Sequence, residues 1–146
     1  MYQQYSPPKF NILPPVCKNL LIINVIAFLA TYVFKMRGID LSDIFGLHFF
    51  ASDNHYFWQY ITYAFFHANF SHLFFNMFSL FMFGRLLESV WGSKRFFIFY
   101  FVCGIGAALV QEVSAMISII YAQNHLPEEV VRVVVNDGYN IFLQGK

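Results

Sequence analysis

The sequence predicts an all-α fold, a polytopic bundle of helices that cross a membrane. Hydrophobic residues make up 58% of the 146 residues and charged residues only 12%, against roughly 45–50% and about 25% in soluble domains. Mean hydropathy is +0.53, and three stretches, the first of them together with its flanks, reach the roughly 20 residues that a membrane helix needs. The lipid bilayer is therefore an expected partner, whereas a net charge of +1 gives no reason to expect a nucleic acid.

The first membrane helix is predicted at residues 19–34, NLLIINVIAFLATYVF. Residues 1–18 before it are polar and broken by prolines, so we expect an irregular N-terminus there. A cleaved signal peptide is the alternative, because Lys9 and Lys18 precede the apolar run. No cleavage site of small residues follows that run, which favours a retained helix.

Residues 35–66 are predicted to form a loop that lies on or in the membrane interface, with short helical pieces. Charges, glycines and clustered aromatic residues exclude a simple membrane span here. Trp58 and the tyrosines that follow it have the amphipathic rings that settle at the level of the lipid headgroups.

Two further membrane helices are predicted, at residues 67–90 and 96–121, joined by a short charged turn, WGSKRF. The second of these is rich in small residues that allow helices to approach closely. In residues 122–146, a loop and a short helix are expected, since Pro127 is typical of a helix start and Gly138 of a helix stop.

Charge and cysteine content add two expectations. Five of the nine Lys and Arg residues lie in the N-terminus and around the turn between the second and third helices, which favours a cytoplasmic N-terminus in a multi-pass membrane protein. The two cysteines, Cys17 and Cys103, are too few and too far apart for a disulfide framework or a zinc knuckle. We expect both to be buried free thiols.

Polar residues in the second predicted helix need an explanation, because polar groups in hydrocarbon are costly unless they are paired or used. At about 100° per residue, the spacing places His72, Asn76 and Ser79 on one face. His67 would lie about 140° around the helix from His72. That disfavours a zinc pair, for which helices use an i, i+4 spacing, and we expect no metal.

Two interpretations of this polar face follow from the residues. The side chains could hold helices together through hydrogen bonds. Alternatively, His72 and Asn76 would lie roughly 7 and 13 Å along a helix that starts at His67, within reach of a water-filled cavity. An imidazole and an amide are both hydrogen-bond donors, and two converging donors in a water-poor pocket suit an oxyanion.

The stretch FWQYITYAFFHANFSHLFFNMFSLFMFGRLLE resembles the first loop and second helix of rhomboid intramembrane serine proteases. It has a leading tryptophan, an H-x₄-H-x₃-N run and a G-x-x-x-E pair, and the WGS turn follows. The matching residues are Trp58, His67, His72, Asn76, Gly84 and Glu88. The resemblance covers residues 20 to about 120.

The resemblance implies that His72 and Asn76 stabilise the oxyanion of a serine endopeptidase that cleaves membrane-embedded helices without a cofactor. Trp58, His67, Gly84 and Glu88 would have supporting roles, that of Glu88 being a hydrogen bond between helices near the cytoplasmic end. The chain, 1–146, would be the N-terminal part of a single rhomboid domain, whose core has six membrane helices. The substrates would be membrane proteins with a transmembrane segment.

Two departures qualify the resemblance. The sequence has no G-x-S-G motif, so we expect the nucleophile and the base to lie outside this chain, and the chain alone to be inactive. A naturally short relative is the alternative to a fragment. Gln59 stands where rhomboids commonly have arginine beside the loop tryptophan, which predicts weaker charged anchoring of the first loop but leaves the chemistry unaffected.

Two other functions remain open from the sequence. One is a non-catalytic rhomboid-like protein that binds membrane helices. The other is an unrelated three-helix structural subunit. A downstream G-x-S-G motif, followed two helices later by a histidine, would favour the protease.

Overall fold

The structure is a computed structural model that describes residues 13–130. Those residues form helices and contain no strand, as the all-α prediction requires. The chain divides into two compact units, Met1–Ala108 and Leu109–Lys146. Three helices of the described part are long and apolar enough to cross a membrane, so the chain is a multi-pass membrane protein.

The first spanning helix, α1, runs over Pro15–Lys35. It begins before the predicted start at Asn19, so the irregular N-terminus predicted for residues 1–18 is too long at its end. Proline is favoured at the first helical position, because that position needs no N–H donor and the fixed φ suits a helix. Residues 1–12 of the predicted irregular segment lie outside the described residues.

Short helical pieces separate α1 from the second span, in the predicted interfacial loop. Helix α2 is Leu41–Phe45, α3 is Gln59–Thr62, and a 3₁₀ turn covers Tyr63–Phe65. The Asp40 side chain caps α2 by accepting a hydrogen bond from the Ser42 N–H. This loop therefore has ordered structure of its own.

The second span, Phe70–Trp91, starts later than the predicted residue 67. The Asn69 side chain caps it by accepting a hydrogen bond from the His72 N–H at 2.9 Å. The span consists of α4, Phe70–Ser79, then a π-helical turn, Leu80–Gly84, and finally α5, Arg85–Trp91. Such π turns are rare and are often found at functional sites.

The third spanning helix, α6, runs over Ser93–His125, which extends the predicted 96–121 at both ends. The predicted charged turn before it is reduced to Gly92, whose φ of +80° favours glycine. A new helical turn follows Pro127, with residues 128–130 helical. The predicted end of that helix at Gly138 lies outside the described residues.

The core of the first unit lies where α1, the π turn and the start of α6 meet. Cys17, Leu20 and Phe96 are its buried members, and Leu80 and Tyr100 are among the side chains that pack against them. Only one of the two cysteines is buried as expected, since Cys17 is buried but Cys103 is exposed.

Candidate active site

The polar face of α4 lies on a regular stretch of helix. His72, Asn76 and Ser79 all fall within Phe70–Ser79, so their spacing of four and three places them on one side. All three are exposed in the described part of the chain. Because α4 starts at Phe70, His72 lies roughly 3 Å and Asn76 roughly 9 Å from its first residue, shallower than the sequence estimate.

A cleft of about 440 Å³ opens beside this face, between the second span and the start of α6. Asn76 and Ser79 line one wall, and Tyr100, Cys103 and Gly104 line the other. His67 also lines the cleft, whereas His72 does not. The cleft therefore brings together Asn76 and His67, and places His72 on the same helix face as Asn76 but outside the cleft.

His67 precedes the helix and does not continue its spiral. Its ring meets that of His72 edge to face, with centroids 5.1 Å apart. The estimate of about 140° between the two histidines does not apply, because a helical wheel holds only for residues within one helix and α4 begins at Phe70. Within residues 13–130, no group of three or more His, Cys, Asp or Glu side chains is placed to hold a metal ion.

His67 is buried, with 6% of its surface exposed. Burial lowers its pKa, and the neighbouring His72 lowers it further, so the ring is neutral at pH 7. A neutral imidazole has one donor and one acceptor nitrogen. Its Nδ1 has no hydrogen-bond partner among the described residues.

The Glu88 carboxylate connects the second span to the beginnings of α1 and α6. Its two oxygens accept hydrogen bonds from the N–H groups of Val16 and Cys17, at 3.0 and 2.7 Å, and the Ser93 hydroxyl donates a third at 2.6 Å. Val16 and Cys17 lie in the first turn of α1, whose N–H groups have no partner within the helix. A negative charge there also complements the helix dipole.

Gly84 packs against side chains of α1 and α6. A Cβ atom built on it would lie 2.8 Å from Cδ1 of Leu80, 3.1 Å from Cζ of Phe96 and 3.6 Å from Sγ of Cys17. The Cys17 thiol in turn donates to the Leu80 carbonyl at 3.4 Å, within the π turn. A larger residue at position 84 would therefore displace the side chains of Leu80 and Phe96, which line the cleft.

Gln59 organises the first loop through four hydrogen bonds. Its amide NH₂ donates to the carbonyls of Ile44 and Asn54, and its oxygen accepts from the N–H groups of His48 and Tyr56. The side chain is fully buried. The loop is therefore anchored at this position by a neutral amide, which offers both donors and an acceptor, and not by the charge of an arginine, which offers donors only.

Trp58 supports the same loop from its outer side. Its ring stacks on Tyr56 with centroids 4.4 Å apart, and its Nε1–H points to the Ile44 carbonyl at 3.4 Å. At the end of the loop, the Tyr63 hydroxyl donates to the Gly104 carbonyl at 2.6 Å and so ties the loop to α6.

Sequence reasoning did not nominate four polar residues that the structure brings out: Asn24, Tyr63, Asn69 and Glu112. Asn24 is fully buried in α1, and its amide donates to the Leu20 carbonyl at 2.7 Å. Glu112 is a buried carboxyl group in the apolar helix α6. The signal that could have found both is a polar side chain within an otherwise apolar span.

Comparison with known proteins adds a family to this geometry. Residues 54–120 match the family model of the Rhomboid domain. A protein of Arabidopsis thaliana, Rhomboid-like protein 11, chloroplastic, is 35% identical over 91 residues, which are 62% of this chain and 30% of that protein. The chain thus spans less than a third of this relative's length. No solved structure gives a significant match.

Proposed function

Because the chain belongs to the rhomboid family, we propose that the complete protein is an intramembrane serine endopeptidase that cleaves membrane-embedded helices. In this proposal His72 and Asn76 stabilise the oxyanion, while a serine and a histidine from outside these residues act as nucleophile and base. No cofactor is required, because the serine adds to the peptide carbonyl and the histidine takes up its proton.

The observation that carries the proposal is the exposed polar face of α4. In a helix that crosses lipid, exposed His72 and Asn76 would be costly unless another part of the protein, or a reacting carbonyl, met them. Asn76 additionally lines the cleft, whose other wall is mostly apolar and suits a hydrophobic segment. Its amide NH₂ is a donor of the kind that stabilises a developing oxyanion.

The supporting roles follow from contacts. Glu88 and Gly84 fix the second span against α1 and α6, and Trp58 contributes to the first loop. These residues would hold Asn76 in place without touching the reacting atoms.

A non-catalytic rhomboid-like protein that binds membrane helices is the second candidate. The apolar lining of the cleft, which includes Phe83, Phe96 and Phe99, suits such a protein as well as it suits a protease. Such a protein would use the same cleft to hold a helix and would need no oxyanion donor.

The test compares cleavage rate with thermal unfolding in the complete protein. Asn76→Ala and His72→Ala are each expected to lower the rate by about 10²–10³ with little change in stability, since an oxyanion donor acts mainly in the transition state. Gly84→Val should instead lower the unfolding temperature first. Ser79→Ala, on the same face, is the matched control and should leave the rate near normal.

Two outcomes would contradict the proposal. Near-normal rates in Asn76→Ala and His72→Ala, together with early unfolding, would make the polar face structural. Complete protein that binds membrane helices but cleaves none would favour the second candidate. The 146-residue chain alone should cleave no membrane substrate.

A further inference from the structure

A second cavity lies at the loop end of the helices. It measures about 240 Å³ and is lined by residues of α1, α2 and the segment that leads into α4, including Thr31, Lys35, Ser42 and Asn69. The Lys35 side chain is 70% exposed and pairs with Asp40 at 3.2 Å. An exposed ion pair belongs at the aqueous side of the interface, so the rim of this cavity meets water.

Among the described residues, His67 alone lines both this cavity and the cleft that contains Asn76. It therefore forms part of the wall between a wet rim and an apolar cleft. His67 is 6% exposed, and its Nδ1 has no partner among the described residues. A buried polar atom without a protein partner, beside a cavity large enough for water, is a typical place for a bound water molecule.

If the chain is part of a hydrolase, water must reach the cleft. Hydrolysis consumes one water for each peptide bond, its OH joining the carbonyl carbon and its hydrogen the nitrogen. Most of the cleft is lined by apolar side chains such as Phe83, Phe96 and Phe99, which give water no partners. Asn76, Ser79, Tyr100 and His67 supply its polar side-chain atoms, and His67 is the one of these that also lines the second cavity.

We infer that His67 passes water from the loop-end cavity into the cleft beside Asn76, with its imidazole as the polar step between the two. His67 is then a positioning residue for water and does not touch the reacting carbonyl. The use of that water rests on the proposed function, whereas the passage itself does not.

The test measures water access to the cleft without measuring proteolysis. Cys103 lines the cleft and is exposed, whereas Cys17 is buried. The complete protein, held in lipid nanodiscs so that both faces meet the solution, is treated with a charged methanethiosulfonate, and the modification rate of each cysteine is followed by mass spectrometry. Cys17 serves as the internal control, because its modification reports unfolding.

Three substitutions at one position distinguish the outcomes. His67→Phe keeps bulk but removes the polar nitrogens, and should slow modification of Cys103 about tenfold, as expected for loss of one buried hydrogen-bonding step. His67→Ala should speed it by opening the wall, and His67→Asn should restore a rate close to the original. His125→Phe, which lines neither cavity, is the matched control and should change nothing.

The results separate this inference from the proposed function. Cys103 that stays unmodified, or a rate that ignores all three substitutions while Cys17 stays protected, overturns the water passage whether or not the protein is a protease. A Ser79→Cys reporter in place of Cys103 should give the same order of rates. If the modification rate of Cys103 responds as expected in a protein that cleaves nothing, the water passage is supported and the proposed protease function is rejected.

Discussion

Gln59 is a case in which one side chain sets the shape of a whole loop. The four backbone groups that it binds belong to Ile44, His48, Asn54 and Tyr56. These groups come from both halves of the interfacial loop. Because the amide is fully buried, no water can take its place when it is lost.

Gln59→Leu is therefore expected to lower the free energy of unfolding by about 2 kcal/mol or more, since a typical hydrogen bond contributes about 0.5–1.5 kcal/mol and the orphaned groups add a desolvation cost. Gln111→Leu, on an exposed part of α6, is the same substitution where no such network is disturbed, and should be neutral. Thermal unfolding of both variants in detergent is the measurement. Equal stability of the two would mean that the loop does not depend on Gln59.

Some contacts of individual residues could be predicted from the sequence and others could not. The common face of His72 and Asn76 was predictable, because both lie in one helix with fixed periodicity. The contact between His67 and His72 was not, because it depends on where the Asn69 cap starts the helix. The fourfold role of Gln59 was hidden too, since its partners are backbone groups up to 15 residues away, and no residue type marks those.

At the scale of helices, Glu88 is the cap that α1 lacks in its own sequence. Pro14 stands at the N-cap position, and the side chain of proline cannot accept a hydrogen bond. A carboxylate from the second span satisfies the first turn instead. The start of α1 at Pro15 thus combines a local signal, proline at the first helical position, with a contact from residue 88 that local residues do not reveal.

Glu88→Ala is expected to destabilise the protein by about 3 kcal/mol, because it leaves one buried and two half-buried donors without an acceptor. Glu88→Gln keeps one acceptor oxygen and should cost less. Ser89→Ala, at the exposed neighbouring position, is the control. The measurement is the unfolding temperature, which should be lowest for Glu88→Ala, higher for Glu88→Gln and highest for Ser89→Ala. Similar temperatures for Glu88→Ala and Ser89→Ala would show that the cap adds little.

The π turn at Leu80–Gly84 could not be predicted from the sequence pattern of the second span. The stretch LFMFG is uniformly apolar and has no proline, so periodicity predicts an uninterrupted helix. The turn becomes understandable only with its neighbours in place, since it brings Leu80 and Gly84 against Cys17 and Phe96.

At the scale of the whole molecule, composition was sufficient to predict three spanning helices, since their length and apolarity depend on the bilayer and not on tertiary contacts. Orientation is a separate question, because it rests on the distribution of lysine and arginine. We expect the N-terminus and the end of the second span to face the cytoplasm, and the loop between the first two spans to face the opposite side.

Labelling from each side of the membrane checks this orientation. In a Cys103→Ser background, Lys94→Cys should react from the cytoplasmic side and Asp53→Cys from the other, and both positions are exposed. Cys17, being buried, should stay silent. Reaction of both introduced cysteines from one side would mean that the second span does not cross the bilayer.

The hydrogen bond between Glu88 and Cys17 joins residues that the ribosome makes at different times. The two partners are 71 residues apart in the chain, so at roughly 5–20 residues per second a ribosome needs roughly 4 to 14 s to supply the second after the first. During that interval the first turn of α1 is complete in sequence but lacks the carboxylate that caps it. Until residue 88 is made, the N–H groups of Val16 and Cys17 lack this acceptor and can bind water instead.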